Sequence, residues 1–147
     1  MPQPTQVDPR GLRVNAGITA VVLALVLVVP FEPVRLALLV LQVAVFATAA
    51  FVSLTASPWS IVFARLVRPR IGPPAQLEDA RPPRFAQLVG LGFTTVALVA
   101  LLAGATTVAL VATAFALVAA LLNAVGGLCL GCEMYLALRR LAPAGTA

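Results

Sequence analysis

Two cysteines with the spacing C-x-x-C are the residues of this sequence with the clearest capacity for chemistry. Cys129 and Cys132 are the only cysteines of the chain, and Glu133 follows them directly. Two thiols at this spacing can close a disulfide and can exchange it with another dithiol. The chain has no histidine, so a Ser-His or Cys-His catalytic pair and a histidine-ligated metal site are both excluded within it.

Other interpretations of the cysteine pair stand beside this one. Cysteines in apolar helices often serve as small packing residues without reactivity. A single C-x-x-C supplies too few ligands for a metal, so we expect none in one chain, although a dimer supplies four sulfurs. An acid near the edge of a membrane needs a partner, so we expect Glu133 to pair with Arg139, Arg140 or an arginine of the central segment. A carboxylate close to the thiols raises their pKa, which opposes reactivity.

The composition indicates a membrane protein. Hydrophobic residues make up 61% of the 147 residues, against about 45–50% in soluble domains. The mean hydropathy is +1.05, and charged residues amount to 10%. The net charge of +5 comes from ten arginines and five acids. Because the arginines flank apolar runs, they carry information about topology rather than about nucleic acid, and we expect the bilayer as the partner and no cofactor.

The apolar runs predict an all-α integral membrane protein with four transmembrane helices in a single domain, residues 1–147. Acid-proline pairs at Asp8-Pro9 and Glu32-Pro33 are typical helix starts. A signal peptide is the competing interpretation of the first run, but no small-residue cleavage site follows it. The predicted spans are about 14–30, 34–54, 85–103 and 106–127.

A short amphipathic helix is predicted at 58–67, between the second and third spans. Trp59, Val62, Phe63 and Leu66 recur at helical spacing, and a helix this short would lie in the membrane interface. The segment that follows, 68–84, reads as a cytoplasmic loop. Its adjacent acids, Glu78-Asp79, are interpreted as solvated. Residues 1–7 read as a mobile tail.

Arginine distribution predicts the orientation. Nine arginines lie in the N-terminal flank, the segment between the second and third spans, and the C-terminus, whereas the other two connections hold only Arg35. The positive-inside rule therefore places both termini and the central segment in the cytoplasm.

The glycine pair Gly126-Gly127 is the predicted break that positions the dithiol. An ideal helix from Thr106 would reach Cys129 after about 35 Å, beyond a hydrocarbon core of about 30 Å. Paired glycines are poor helix formers, so we expect a new helix to start near 128–130 with Cys129 at its N-terminus. The helix dipole there lowers a thiol's pKa, which makes Cys129 the attacking thiolate and Cys132 the resolving one.

At these residues the chain resembles the bacterial, largely actinobacterial, membrane family called domain of unknown function four-three-nine-five, from Asp8 to about Tyr135. The resemblance implies thiol or sulfur chemistry at the membrane, because genes of that family often lie near those of thioredoxin-like and sulfurtransferase proteins. It rests on Asp8-Pro9-Arg10, Ser57-Pro58, Arg68-Pro69-Arg70, Pro82-Pro83-Arg84-Phe85 and Cys129-Leu130-Gly131-Cys132-Glu133-Met134-Tyr135.

The leading hypothesis is therefore a membrane component of a thiol-disulfide oxidoreductase system. Its dithiol would exchange electrons or sulfane sulfur with a soluble thioredoxin-like or rhodanese-like partner. A second hypothesis is a non-catalytic anchor that docks a cytosolic enzyme. A third is a sulfur-anion transporter that works as a homo-oligomer, with Gln42 and Asn123 along its path; Gln42 serves equally well as an interhelical packing residue. The residues expected to form the partner or charge network are Glu133, Arg65, Arg68, Arg70 and Arg84.

Overall fold

The computed structural model describes residues 4–142, and these are helical apart from one short strand pair and the connections. The predicted all-α class is confirmed. In chain order the elements are β1 (Gln6–Val7), α1 (Pro9–Val28), α2 (Glu32–Ala47), α3 (Pro58–Val62), α4 (Arg68–Ile71), β2 (Glu78–Asp79), α5 (Arg81–Leu102), α6 (Thr106–Gly126) and α7 (Leu130–Leu141). A π-helical turn over Thr48–Val52 extends α2, and a second one over Phe63–Val67 joins α3 to α4.

Four helices of the described part are long and apolar enough to cross a membrane: α1, α2 with its extension, α5 and α6. The mean hydropathy of their most apolar windows lies between 2.0 and 2.4, and only 17 to 39% of each window is buried inside the molecule. Most of the apolar surface therefore faces outward, where lipid can cover it. The helices α1 and α5 begin at Pro9 and Arg81, earlier than the predicted spans at about 14 and 85, because each includes a polar first turn.

Proline residues lie in the first turn of the helices α1 to α5, but among these only α1 has an N-cap side chain that bonds to the helix. Asp8 Oδ1 accepts a hydrogen bond of 2.9 Å from the Arg10 amide at the start of α1. Ser57 precedes Pro58 at the start of α3, yet its hydroxyl is buried without a hydrogen-bond partner. At the start of α3 the proline, whose fixed φ suits the first helical turn, therefore acts without a side-chain cap.

The four long helices form a closed ring in which each packs against its neighbours in sequence, and α6 returns to α1. One end of the ring is filled by a core that includes Val26, Leu39, Ala97 and Leu101. Near mid-height, Gln42 Nε2 donates a hydrogen bond of 3.1 Å to Thr19 Oγ1. This bond joins α2 to α1, so the Gln42 amide acts as an interhelical contact, as the packing interpretation expects.

The N-terminal segment is ordered from Pro4 onward, which corrects the expectation of a mobile tail for residues 4–7; residues 1–3 lie outside the described part. Gln6 pairs with Asp79 and Val7 with Glu78 in an antiparallel strand pair. Val7 is 8% exposed and belongs to a small apolar cluster. A buried apolar side chain beside a backbone ladder holds this segment against the connection before α5, a long-range pairing that local sequence does not reveal.

The loop between α2 and α5 is shorter than the predicted 68–84, because helical structure continues through α4 to Ile71 and α5 begins at Arg81. Its amphipathic face turns toward α1. Phe63 is 5% exposed, and a Cβ added at Gly11 of α1 would lie 3.0 Å from its ring. Leu66, expected on the same buried face, is 57% exposed, because the π-helical turn changes the angular spacing of the side chains.

Candidate functional site

The end of α6 turns the chain as the glycine pair predicts. The helix ends at Gly126, and Gly127 adopts a left-handed conformation with a φ of 68° that L side chains rarely adopt. The Gly127 amide donates to the Asn123 carbonyl at 3.0 Å, and the Leu128 amide donates to the Leu122 carbonyl at 3.2 Å. These bonds satisfy two carbonyl groups near the end of α6 and direct the chain into α7.

Cys129 caps the start of α7, which confirms the predicted helix start. Its Sγ accepts a hydrogen bond of 3.2 Å from the Cys132 amide, and its carbonyl accepts one of 3.0 Å from the Glu133 amide. The two cysteines form a disulfide, with their Cα atoms 5.1 Å apart. The disulfide therefore lies at the N-terminal end of α7.

The helix α7 is held against α5 through the residue inside the motif. Gly131 is buried, and a Cβ built on it would lie 2.5 Å from the Ala86 Cα. One turn further, the rings of Tyr135 and Phe85 pack with their centroids 5.8 Å apart. This close approach, which only glycine permits, fixes the position of the disulfide relative to the bundle.

The Arg13 side chain of α1 donates hydrogen bonds to carbonyl groups at the end of α6. Arg13 was not among the predicted site residues. Its Nη2 donates to the Val125 carbonyl at 2.9 Å and to the Ala124 carbonyl at 3.2 Å. A guanidinium at the last carbonyls of a helix satisfies orphan acceptors and opposes the negative end of the helix dipole. In the sequence Arg13 is only a flanking charge, since its partners lie 111 and 112 residues away.

A cavity of about 530 Å³ opens next to the disulfide, in the half of the bundle that the apolar core leaves unfilled. Cys129 and Cys132 line one end of it, and Thr19 and Phe115 line the deeper part. Asn123, predicted as an intramembrane polar residue, is also part of its wall. The structure therefore brings Asn123 together with the cysteine pair, a grouping that helical spacing alone does not indicate.

The other predicted residues do not line the cavity. Glu133 is exposed, and neither of the two ion pairs in residues 4–142 includes it, so the expected pairing with an arginine is absent there. Arg84 Nε donates to the Ala50 carbonyl at 2.9 Å and so stabilises the end of the extension of α2. Gln42 lies outside the cavity lining. Three arginines are exposed on the helical stretch of α3 and α4: Arg65, Arg68 and Arg70.

Two carboxylates near the same end are held ionised by neighbouring arginines. The Arg81 side chain donates hydrogen bonds to Asp79 and lowers the pKa of that carboxyl from its ordinary 3.8 to about 2. The Arg10 side chain likewise lowers the pKa of Asp8. Both acids therefore stabilise helix starts and the strand pair, and neither is free for acid-base chemistry near neutral pH. Among the residues that the structure describes, no group of three His, Cys, Asp or Glu side chains forms a metal-ligand set.

Comparison with known proteins gives one match. The sequence model of a family described as Domain of unknown function (DUF4395) matches residues 7–140, which includes every element described above except the first residue of β1 and the last residue of α7. Neither the curated proteins nor the solved structures yield a match to the chain.

Proposed function

The chain belongs to the family described as Domain of unknown function (DUF4395), and we propose that it is a multi-pass membrane protein that exchanges disulfides with a soluble dithiol partner. The observation that carries the proposal is the disulfide between Cys129 and Cys132 at the start of α7, just beyond the end of an apolar span. A dithiol at a helix N-terminus is the arrangement in which one thiolate is stabilised and exchange is fast.

The exchange conserves atoms and electrons as follows. A partner thiolate attacks Cys129 Sγ, the Cys129–Cys132 bond breaks, and Cys132 leaves as a thiolate that takes up a proton. The second partner thiol then attacks the mixed disulfide, and Cys129 leaves as the thiolate that the Cys132 amide stabilises. The partner loses two electrons and two protons, which the cysteine pair gains. Run in reverse, the same steps make Cys129 the attacking thiolate. In sulfane-sulfur exchange, the Cys129 thiolate would instead take the outer sulfur of a partner persulfide, and the partner would leave as a thiolate.

The orientation of the site follows from the arginines. The disulfide lies at the end of the bundle where α1 starts, α5 starts and α6 ends, and this end also holds the α3–α4 stretch. Nine of the ten arginines lie in the chain segments that meet at this end, and Arg35 is the exception. The positive-inside rule assigns this end to the cytoplasm of a bacterial inner membrane, where soluble dithiol proteins of the thioredoxin-like or rhodanese-like kind are the available partners.

A membrane anchor for a cytosolic enzyme is the second candidate. It is favoured by the exposed Arg65, Arg68 and Arg70, which belong to neither ion pair of the described residues. An acidic surface on a partner could bind these guanidinium groups without any chemistry at the cysteines. The two candidates differ in which substitutions abolish partner binding.

Trapping the mixed disulfide tests the proposal. In the Cys132→Ser variant the resolving thiol is gone, so when the Cys129 thiolate attacks the disulfide of an oxidised soluble partner, such as oxidised thioredoxin, the partner should remain covalently bound to Cys129. The adduct should appear on a non-reducing gel and disappear with reductant. The matched Cys129→Ser variant should trap much less. Partner binding that survives loss of both cysteines, and that weakens when the three arginines are replaced by Gln, would reject exchange and support the anchor.

A further inference from the structure

The cavity beside the disulfide adjoins a groove on the outer surface of the bundle. The groove lies between α5 and α6 and has a volume of about 550 Å³. Val89, Phe93 and Phe115 line both the groove and the internal cavity. The two rings lie with their centroids 6.2 Å apart. The two spaces therefore share a wall of apolar side chains, with the disulfide on the inner side and the lipid-facing surface on the outer side.

The inner and outer spaces differ in their chemistry. Polar groups enter the inner cavity, among them Asn15, Asn123 and Gln87, and the Gln87 Oε1 atom is buried without a hydrogen-bond partner. The outer groove is almost entirely apolar, and Val96, Val108 and Phe115 at its wall are each more than half exposed. Ligand sites typically have volumes of about 300–1,000 Å³ with a few polar groups in apolar walls, and the inner cavity fits that description.

The cysteine pair needs an electron acceptor or donor from outside the chain. Cys129 and Cys132 are its only cysteines, so no second dithiol of this chain can take over the two electrons that a soluble partner delivers. One face of the pair opens to the cavity, because both cysteines line it. An acceptor that reaches the pair from the lipid must be soluble in lipid and must accept two electrons and two protons.

We infer that the inner cavity binds the ring of an isoprenoid quinone, that the groove between α5 and α6 binds its tail, and that the quinone reoxidises the cysteine pair. A redox-active ring on a long apolar tail matches a polar-lined cavity that adjoins an apolar, lipid-facing groove. The inference rests on the proposed disulfide exchange, which supplies the reduced cysteine pair.

The reoxidation step balances without a further reactant. The two thiols lose two protons and two electrons, and an S–S bond forms between Cys129 and Cys132. The two carbonyl oxygens of the quinone gain the two electrons and two protons and become the hydroxyl groups of a quinol.

Two quinones with the same ring and different tails test the inference. The full chain is purified in lipid nanodiscs, reduced, freed of reductant and mixed without oxygen with either dimethylnaphthoquinone or a menaquinone of four isoprene units. Both rings are fully substituted, so thiols cannot add to them. Quinol absorbance and free thiols are measured together. The wild type should form one quinol for each cysteine pair that becomes a disulfide, whereas Cys129→Ser and Cys132→Ser should form none.

Substitutions of residues that line the two spaces should distinguish binding of the quinone ring from binding of its tail. Gly92 lines the groove, and a Cβ added there meets no atom within 4 Å, so Gly92→Phe fills the groove without disturbing the fold. It should slow oxidation by the tailed quinone about tenfold and leave the tailless one unchanged, because only tail contacts are lost. Ala120→Phe, which reduces the inner cavity, should slow both. Val40→Phe, on the exposed face of α2, is the matched control and should slow neither.

The outcomes distinguish this inference from the proposed function. A wild-type protein that transfers no electrons to either quinone, but still exchanges disulfides with thioredoxin, would overturn the inference and leave the proposed function standing. A protein that does not exchange with thioredoxin would remove the proposed function. Oxidation by quinone at equal rates in the wild type, Gly92→Phe and Ala120→Phe would overturn the assignment to these two spaces.

Discussion

Gly131 of α7 lies directly against Ala86 of α5, because a Cβ on Gly131 would lie 2.5 Å from the Ala86 Cα. Gly131 is one of the two residues between the cysteines. The contact therefore links the geometry of the disulfide directly to the position of α5. Any side chain at Gly131 has to move α7 as a whole, since the obstructing atoms belong to a helix backbone.

Gly131→Ala should accordingly detach α7 from α5. We expect a loss of about 1–3 kcal/mol in the free energy of unfolding, the usual range for overpacking. We also expect faster reduction of the disulfide, because its surroundings open. Thermal unfolding in detergent and the rate of reduction by dithiothreitol measure the two effects. Gly92→Ala, where an added Cβ meets open space, is the control and should not destabilise the protein. Equal behaviour of the two variants would contradict the contact.

Replacing Arg13 by Gln should loosen the end of α6. The guanidinium bonds to the Ala124 and Val125 carbonyls are lost, and bonds to charged groups contribute about 1.5–3 kcal/mol each at most, less where water competes as it does here. Hydrogen exchange at the Gly127 and Leu128 amides should speed up, and Arg13→Lys should restore part of the protection. Arg140→Gln, at an exposed position, serves as the comparison and should leave both amides unchanged.

Phe63→Glu should release the α3–α4 stretch from α1. A buried ring is replaced by a carboxylate, and loss of a buried Phe typically costs about 3–5 kcal/mol. The single Trp of the chain, Trp59, reports on this stretch by fluorescence, and its emission should shift to longer wavelength. Leu66→Glu changes a side chain that is 57% exposed and should leave the protein contact intact. An unchanged Trp59 spectrum in Phe63→Glu would show that this face does not pack on α1.

Acid should open the strand pair between β1 and β2. The folded-state pKa of Asp79 is about 2, below its ordinary 3.8, so Asp79 stabilises the folded state above about pH 4 and loses that effect as the pH falls toward 2. The protection factors of the Val7 and Ala80 amides, which correct for the intrinsic pH dependence of amide exchange, should fall over this interval. In Asp79→Asn the exchange should be faster already at neutral pH and should lack this acid dependence. The same acid dependence in Asp79→Asn would assign it to another group.

Topology reporters test the proposed orientation. A reporter that is active only in the cytoplasm should work when fused at Pro74 or after residue 147, because arginine-rich segments are retained there. A reporter that is active only after export should work at Glu32 or Ala105. Activity of the exported reporter at Pro74 would place the α3–α4 connection and the disulfide on the opposite side, and would remove cytoplasmic dithiol proteins as partners.

Local signals in the sequence account for much of the fold. Apolar runs, the prolines at helix starts and the break at Gly126-Gly127 each act through neighbouring residues, so the four long helices and the position of Cys129 at a helix start follow from them. The bond between Gln42 and Thr19 is likewise the kind of contact that a lone amide in an apolar helix predicts.

Contacts between distant residues are what the sequence does not reveal. Arg13 has no local feature that distinguishes it from the other flanking arginines, and Gly131 looks like any small residue until Ala86 lies against it. The cavity exists because small side chains of several helices face one another at one end, and that depends on which helices are neighbours. Glu133 shows the opposite error, since an acid at the membrane edge predicted an arginine partner, but the exposed carboxylate belongs to neither ion pair of residues 4–142.

The bonds from Arg13 to the end of α6 have a consequence for biosynthesis. They join the first long helix to the last across more than a hundred residues, so they can form only after α6 has been synthesised. Both cysteines follow the four long apolar helices in the chain. The thiols of the pair are therefore synthesised after all four of the helices that position them.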